Sequence, residues 1–315
     1  MEIDELQRAT ETEQLMPTRR HVMIVAALTA AAMASPARAQ TKMNVVATIS
    51  ILGDFAKNVG GDRVAVTALV GPGGDAHVYS PTPTDVRTLS DAKLVIVNGL
   101  GLEGWMARLV KAAASKAPTV VATKGVKPRK MEDEHKPGRM VTDPHAWQSI
   151  ANAKIYVADI RDGLIKADPA GKSTYEANAK AYLAKLDDLE KEVKAAIDTI
   201  PAGRRRIITT HDAFGYFGEA YGMEFISPEG VSTESEASAK DVAKIIKQIK
   251  EQKIPAVFLE NVSDPRLMEQ IAKESGAKIG GTLFSDALSD DKGPAPTYVD
   301  MMHNNIRQFT AALAN

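Results

Sequence analysis

No cysteine occurs among the 315 residues. That absence excludes disulfides, thiolate metal sites, cysteine nucleophiles and an N-terminal cysteine carrying lipid. Histidine is scarce, with six in the whole chain, so the position of each one carries weight. There is no HExxH, no low-complexity tract and no internal sequence repeat. Neither sign of charge dominates: 39 Lys and Arg stand against 40 Asp and Glu, which leaves no basic stripe for a nucleic acid. The apolar run from Val22 to Ala34 falls short of the ~20 residues a bilayer-spanning helix needs.

That run follows Arg19 and Arg20 and precedes Ala37-Arg38-Ala39. A basic start, a short apolar stretch and small residues around a cut site predict a signal peptide over residues 1–39, cleaved after Ala39. The expected product is a periplasmic chain with no lipid anchor. Residues 1–15 carry Glu2, Asp4, Glu5, Glu11 and Glu13, an acidic stretch at odds with such a start, which makes Met16 an alternative first residue. Cleavage removes four basic and five acidic residues, leaving 35 of each sign and a formally neutral chain.

The remaining length suits two domains of ordinary size. Short apolar, β-branched segments alternate with helical patterns throughout. Strands are predicted at 43–49, 64–70, 94–98 and 119–122, and again at 206–210, 223–227, 256–259 and 279–284. This alternation predicts an α/β fold with parallel sheets. The polar, mixed-charge stretch from Lys124 to Met140, with His135 inside it and proline near both ends, reads as a surface loop. Between the two runs of strands lies a helix predicted over Ser173 to Ile200. Its apolar residues Tyr175, Ala179, Tyr182, Leu186, Leu189, Val193, Ile197 and Ile200 recur at steps of three and four and so share one face. Ser173 with Glu176 fits a capping box, Asp168-Pro169 offers an earlier start, and Pro201 closes the end. At ~1.5 Å per residue such a helix is roughly 40 Å long, a strut lying along something. The expected division is an N-terminal lobe over 40–167, a linker helix over 168–200 and a C-terminal lobe over 201–315.

In open α/β sheets, ligands bind outside the carboxyl ends of the strands. His77, His211 and Asp286 follow predicted strands, and His145 precedes a helix in a loop that can reach the same edge. Three imidazoles and one carboxylate would fill a tetrahedral zinc shell. Spacings this long form no motif, so the convergence is inferred from topology. Asp143 and Asp212, each near a candidate histidine, are placed either to orient imidazoles or to cap helices. Trp147 and Phe214 fit walls of the site or ordinary core. The competing class is a zinc hydrolase with three protein ligands, an activated water, and Glu236 or Glu260 as general base.

The segments TDPHAW, THDAFGYF after its strand, GVSTESEASAKDV and LFSDAL, in that order, resemble the zinc- and manganese-binding solute-binding proteins of bacterial ABC importers, the metal-binding cluster A-I family. The similarity runs from Met43 to Leu313. It implies two lobes joined by one rigid linker helix, a metal held between them by His77, His145, His211 and Asp286, and delivery to an ABC transporter permease in the inner membrane. Manganese members typically carry a carboxylate where this chain has His211, which favours Zn2+, with Mn2+ as the alternative. The loop from Lys124 is often histidine-rich in zinc members and here has only His135. A periplasmic metallochaperone is a further partner such a protein can have. Monomer is the default expectation.

Overall fold

Residues 41–132, 138–234 and 237–314 are described by the structure, a computed structural model. The expected signal peptide, His135 and Glu236 lie outside the described residues. The first half is assembled from β1 (Met43–Ile49), α1 (Ser50–Gly60), β2 (Val64–Val70), α2 (Pro83–Ser90), β3 (Leu94–Val97), α3 (Met106–Ala113) and β4 (Thr119–Val121). Its strands form one sheet in the order β2-β1-β3-β4, with every neighbour parallel. Central strand β3 reads as an unbroken apolar run, as a parallel strand buried on both faces does. All four residues of β3 are buried.

After a hairpin of β5 (Lys130–Glu132) and β6 (Met140–Thr142), the chain enters α4 (Ile150–Ala167) and then α5 (Lys172–Asp198). The second half follows with β7 (Arg206–Ile208), α6 (Gly215–Tyr221), β8 (Glu224–Ile226), α7 (Ala239–Gln252), β9 (Ala256–Glu260), α8 (Pro265–Ser275), β10 (Lys278–Leu283) and α9 (Tyr298–Leu313). Its sheet runs β10-β9-β7-β8, again all parallel. Counted from its own first strand, that is the same strand order as in the first half. Two similar topologies have arisen without a visible sequence repeat.

The predicted strut is α5. All eight residues of its apolar stripe are buried, and it packs against α1 and α4 of the first half and α9 of the second. Each of its buried leucines contributes about 1.5–3 kcal/mol relative to exposure. The expected capping box is not formed. The helix begins at Lys172, so Ser173 already lies inside it, and Glu176 pairs with Lys172 at 3.1 Å. A 3-10 turn at Pro169–Gly171 leads in instead, nearer the Asp168-Pro169 alternative. The Asp168 carboxylate accepts from Tyr175 Oη and Arg63 Nη2, both at 2.7 Å, and so ties the start of α5 to the turn before β2.

At the edges of the stretch from Lys124 to Met140, expected as a surface loop, Lys130–Glu132 forms β5 and pairs antiparallel with β6. Its base is anchored at Arg129, whose backbone N–H donates to Tyr216 Oη at 2.7 Å and whose guanidinium reaches Glu219 on α6 at 2.8 Å. A main core runs through the first half, α5 and α9. A smaller one, including Ile208, Ile245, Ile249, Val257, Met268 and Ile271, lies under α7 and α8. Among the described residues, no helix is long and apolar enough to cross a membrane.

Candidate metal centre

Each of the four predicted side chains sits in a loop at the carboxyl end of a strand. His77 lies between β2 and α2, and His145 between β6 and α4. His211 follows β7 and Asp286 follows β10. The structure brings all four together, with one ligand atom from each lying within 4.8 Å of the others. Asp286 Oδ2 is the shared vertex. It stands 3.1 Å from His77 Nε2, 3.3 Å from His211 Nε2 and 3.6 Å from His145 Nε2, while His77 Nε2 and His145 Nε2 are 3.1 Å apart. Ligands ~2.0–2.1 Å from a tetrahedral ion are separated by roughly 3.3 Å, and these four separations lie close to that value.

Lone pairs this close, out of water, demand a positive charge among them. Among the described residues, neither oxygen of Asp286 finds a hydrogen-bond donor in good geometry, although the side chain is fully buried. Burial alone would raise its pKa, yet His145 and His211 hold it well below the usual carboxylate range. The imidazoles respond in the opposite sense. Burial disfavours a charged ring at His145, but Asp286 and Asp143 outweigh it and push the pKa up to about 9. Burial of His211 is likewise overcome, by Glu260 and Asp286, and its pKa rises well above the ordinary value. Without metal, protons supply the missing charge.

A second layer of groups fixes which nitrogen faces the centre. Asp143 Oδ1 accepts both the backbone N–H and the Nδ1–H of His145 at 2.9 Å, which leaves the Nε2 lone pair inward. Asp143 Oδ2 accepts from Arg129 Nη1 at 3.2 Å. The turn carrying His145 is held by buried Asn98, whose Nδ2 donates to Pro144 O at 2.9 Å and whose Oδ1 accepts from Tyr156 Oη at 2.6 Å. On the other side, Trp147 Nε1 and Gln148 Nε2 both donate to Ser285 O at 2.8 Å. Asn261 brackets Asp286 by accepting from Ser285 N at 3.2 Å and donating to Ala287 O at 3.1 Å.

For His211, the orienting carboxylate is Glu260 and not Asp212. Glu260 Oε1 accepts the backbone N–H groups of Thr210 and His211 at 2.7 and 3.0 Å, and Oε2 lies 2.6 Å from His211 Nδ1. Asp212 instead sends its own backbone N–H to Gly230 O at 3.0 Å. Strand register explains the choice. Ile208 pairs with Val257, so His211 and Glu260, each three residues further on, arrive opposite one another. That pairing between strands of different segments was the signal a linear reading lacked. Asp75 also went unassigned, although its Oδ1 accepts the backbone N–H of His77 at 2.8 Å. Trp147 does wall the site, its ring 5.3 Å from that of His145. Phe214 stacks on Phe225 in the core.

Two parallel-sheet halves holding a buried three-histidine, one-aspartate cluster define a divalent-metal-binding protein of the two-lobe solute-binding class. The chain belongs to the family described as zinc-uptake complex component A, periplasmic, which matches residues 45–312. It is 35% identical over 272 residues to the iron-binding protein YfeA of Yersinia pestis, covering 86% of each chain. It is 36% identical to the manganese-binding lipoprotein MntA of Halalkalibacterium halodurans, covering 86% of this chain and 89% of that one. Among solved structures, the periplasmic zinc-binding protein TroA from Treponema pallidum superposes with a TM-score of 0.81 at 34% identity, covering 87% of this chain and all of that one. Members of this family are substrate-binding components of metal ABC transporters and not enzymes. In agreement, the fourth corner that a hydrolase would keep for water is taken here by Asp286, and Glu260 is engaged with His211.

Proposed function

We propose that this chain captures zinc in the periplasm and delivers it to an ABC transporter permease, with His77, His145, His211 and Asp286 as the four ligands. The observation that carries the reading is the cluster of three Nε2 atoms 3.1–3.6 Å from the buried Asp286 Oδ2, with neither carboxylate oxygen hydrogen-bonded among the described residues. Three imidazoles favour zinc over manganese in the usual order of divalent affinities. Relatives about a third identical are named for manganese and for iron, so a mixed zinc and manganese cargo is the second reading. The moving parts are residues 40–167 and 201–315, coupled through 168–200. Several relatives are named lipoproteins. We place this chain free in the periplasm because it has no cysteine to carry a lipid and its start has the pattern of a cleaved signal.

The test is a competitive titration of the metal-stripped chain with zinc and with manganese, including stoichiometry, repeated for Asp286→Ala. One tight zinc per chain, much weaker manganese and at least a ~100-fold loss of zinc affinity in the variant are expected, since the only anionic ligand has gone. Comparable affinities for the two metals would move the reading to mixed cargo. Zinc binding unchanged in Asp286→Ala would refute the ligand set.

A further inference from the structure

Three of the four clustered side chains are sealed. His145, His211 and Asp286 keep 0–1% of their side-chain surface, whereas His77 keeps 6%. His77 also lines a cleft of about 620 Å³ whose walls include Val78, Tyr79, Trp105, Arg108 and Glu234. A cation leaving through that cleft passes His77 last, so the hold on His77 governs its escape.

The loop carrying His77 contains Gly71, Gly73 and Gly74, and Gly73 takes a left-handed φ of 67°. Such a segment has little stiffness of its own and depends on its ties. Gly73 N donates to Leu288 O and Trp105 Nε1 to Ala76 O, both at 2.9 Å. The tie nearest His77 is Asp75. One oxygen accepts the His77 N–H at 2.8 Å, and the other accepts the hydroxyl of Thr233 at 2.6 Å. Thr233 lies after β8, in the half that also supplies His211 and Asp286. A single carboxylate therefore shapes the His77 turn and pins it across the cleft to the opposite half.

We propose that Asp75 and Thr233 are positioning residues whose hydrogen bond clamps His77 across the cleft and sets the rate at which bound metal leaves. This rests on the metal-capture reading above. The bond spans the two halves, so it opposes opening far more than first encounter. Its loss is expected to speed release while leaving capture nearly unchanged.

The test compares the full chain with Thr233→Val, which keeps the shape and removes the hydroxyl, and with Thr233→Ser, which keeps the hydroxyl. Zinc dissociation into excess chelator is followed by stopped flow, and amide hydrogen exchange at His77 is measured in the metal-free chains. Loss of a hydrogen bond to a charged acceptor in a partly exposed place predicts about tenfold faster release for Thr233→Val. Association is expected within twofold of the parent, exchange at His77 faster, and Thr233→Ser like the parent in both. Release from Thr233→Val within about twofold of the parent overturns the proposal. Failure of the parent itself to bind zinc overturns the capture reading instead, and exchange in the metal-free chains still tests the clamp.

Discussion

Glu260→Gln is nearly isosteric, and its consequence follows from counting protons. Glu260 faces three groups: the N–H of Thr210, the N–H of His211 and the Nδ1 of His211. A carboxylate accepts from the two backbone groups and also offers only acceptors to Nδ1, 2.6 Å from Oε2. A carboxamide has one accepting oxygen and one donating nitrogen. If the oxygen serves the two backbone groups, the NH2 faces Nδ1, makes it an acceptor and moves the ring proton to Nε2, where the metal must bind. If the side chain flips, the NH2 confronts two backbone donors instead. Either arrangement leaves a buried polar group opposed, at a cost of about 1–3 kcal/mol, so zinc affinity should fall about 10- to 100-fold. The assay is chelator competition at pH 7.5 and again at pH 9. Removing the Glu260 charge also weakens proton binding at His211, and the high-pH measurement separates that effect from the tautomer penalty. Asp143→Asn is the control, because its oxygen can stay on His145 while the amide faces Arg129, which retains Glu219. Its loss should be smaller. Affinity for Glu260→Gln within threefold of the parent at both pH values would refute the tautomer argument.

Protonation sets the second prediction. His145 in the metal-free chain holds its proton up to about pH 9 and must shed it to ligate. Metal affinity is therefore expected to fall as pH drops through about 9, by about tenfold per unit for each proton displaced, with the raised pKa of His211 acting in the same direction. This window lies above the one an unperturbed imidazole with pKa ~6.5 would give. Calorimetry in buffers of different ionisation enthalpy should show at least one proton released per zinc at pH 7.5, and no release would contradict the electrostatics described here. The third prediction concerns the strut. Leu186 is fully buried on α5, so Leu186→Ala should cost about 2–5 kcal/mol, read as a lower denaturation midpoint of the metal-free chain. A change below 0.5 kcal/mol would mean that the strut's apolar face does not bear on stability.

What could be read from the sequence was what is periodic or terminal. The stripe from Tyr175 to Ile200 is a local pattern, and all of it is buried. Strand ends are marked by where apolar runs stop, which is why His77, His211 and Asp286 could be placed at one edge and why they do converge. The groups that hold those side chains were harder to see, since they come from elsewhere in the chain. Glu260 reaches His211 through the register of β7 on β9, and Asn98 reaches Pro144 from the end of β3. Thr233 meets Asp75 from the opposite half. Sequence adjacency suggested Asp143 and Asp212; it found Asp143, which accepts from His145, and missed Glu260, which stands where Asp212 was expected. The capping box failed for a similar reason, because Arg63 and Tyr175 secure Asp168 and let the helix start earlier.

The two sheets share a strand order yet bring different chemistry to the centre. The first half of the chain contributes His77, from the end of β2, and His145, from the turn after the β5-β6 hairpin, and the second contributes His211 and Asp286. On the ligand set proposed above, each half would be a bidentate chelator, and α5, packed against helices of both halves, would fix the effective concentration at which one chelator meets the other. Affinity becomes adjustable without altering any ligand. Substitutions along the buried stripe of a helix that touches no metal can retune how strongly the cargo is held, and evolution within such a fold can trade retention against release by changing the stiffness of a strut.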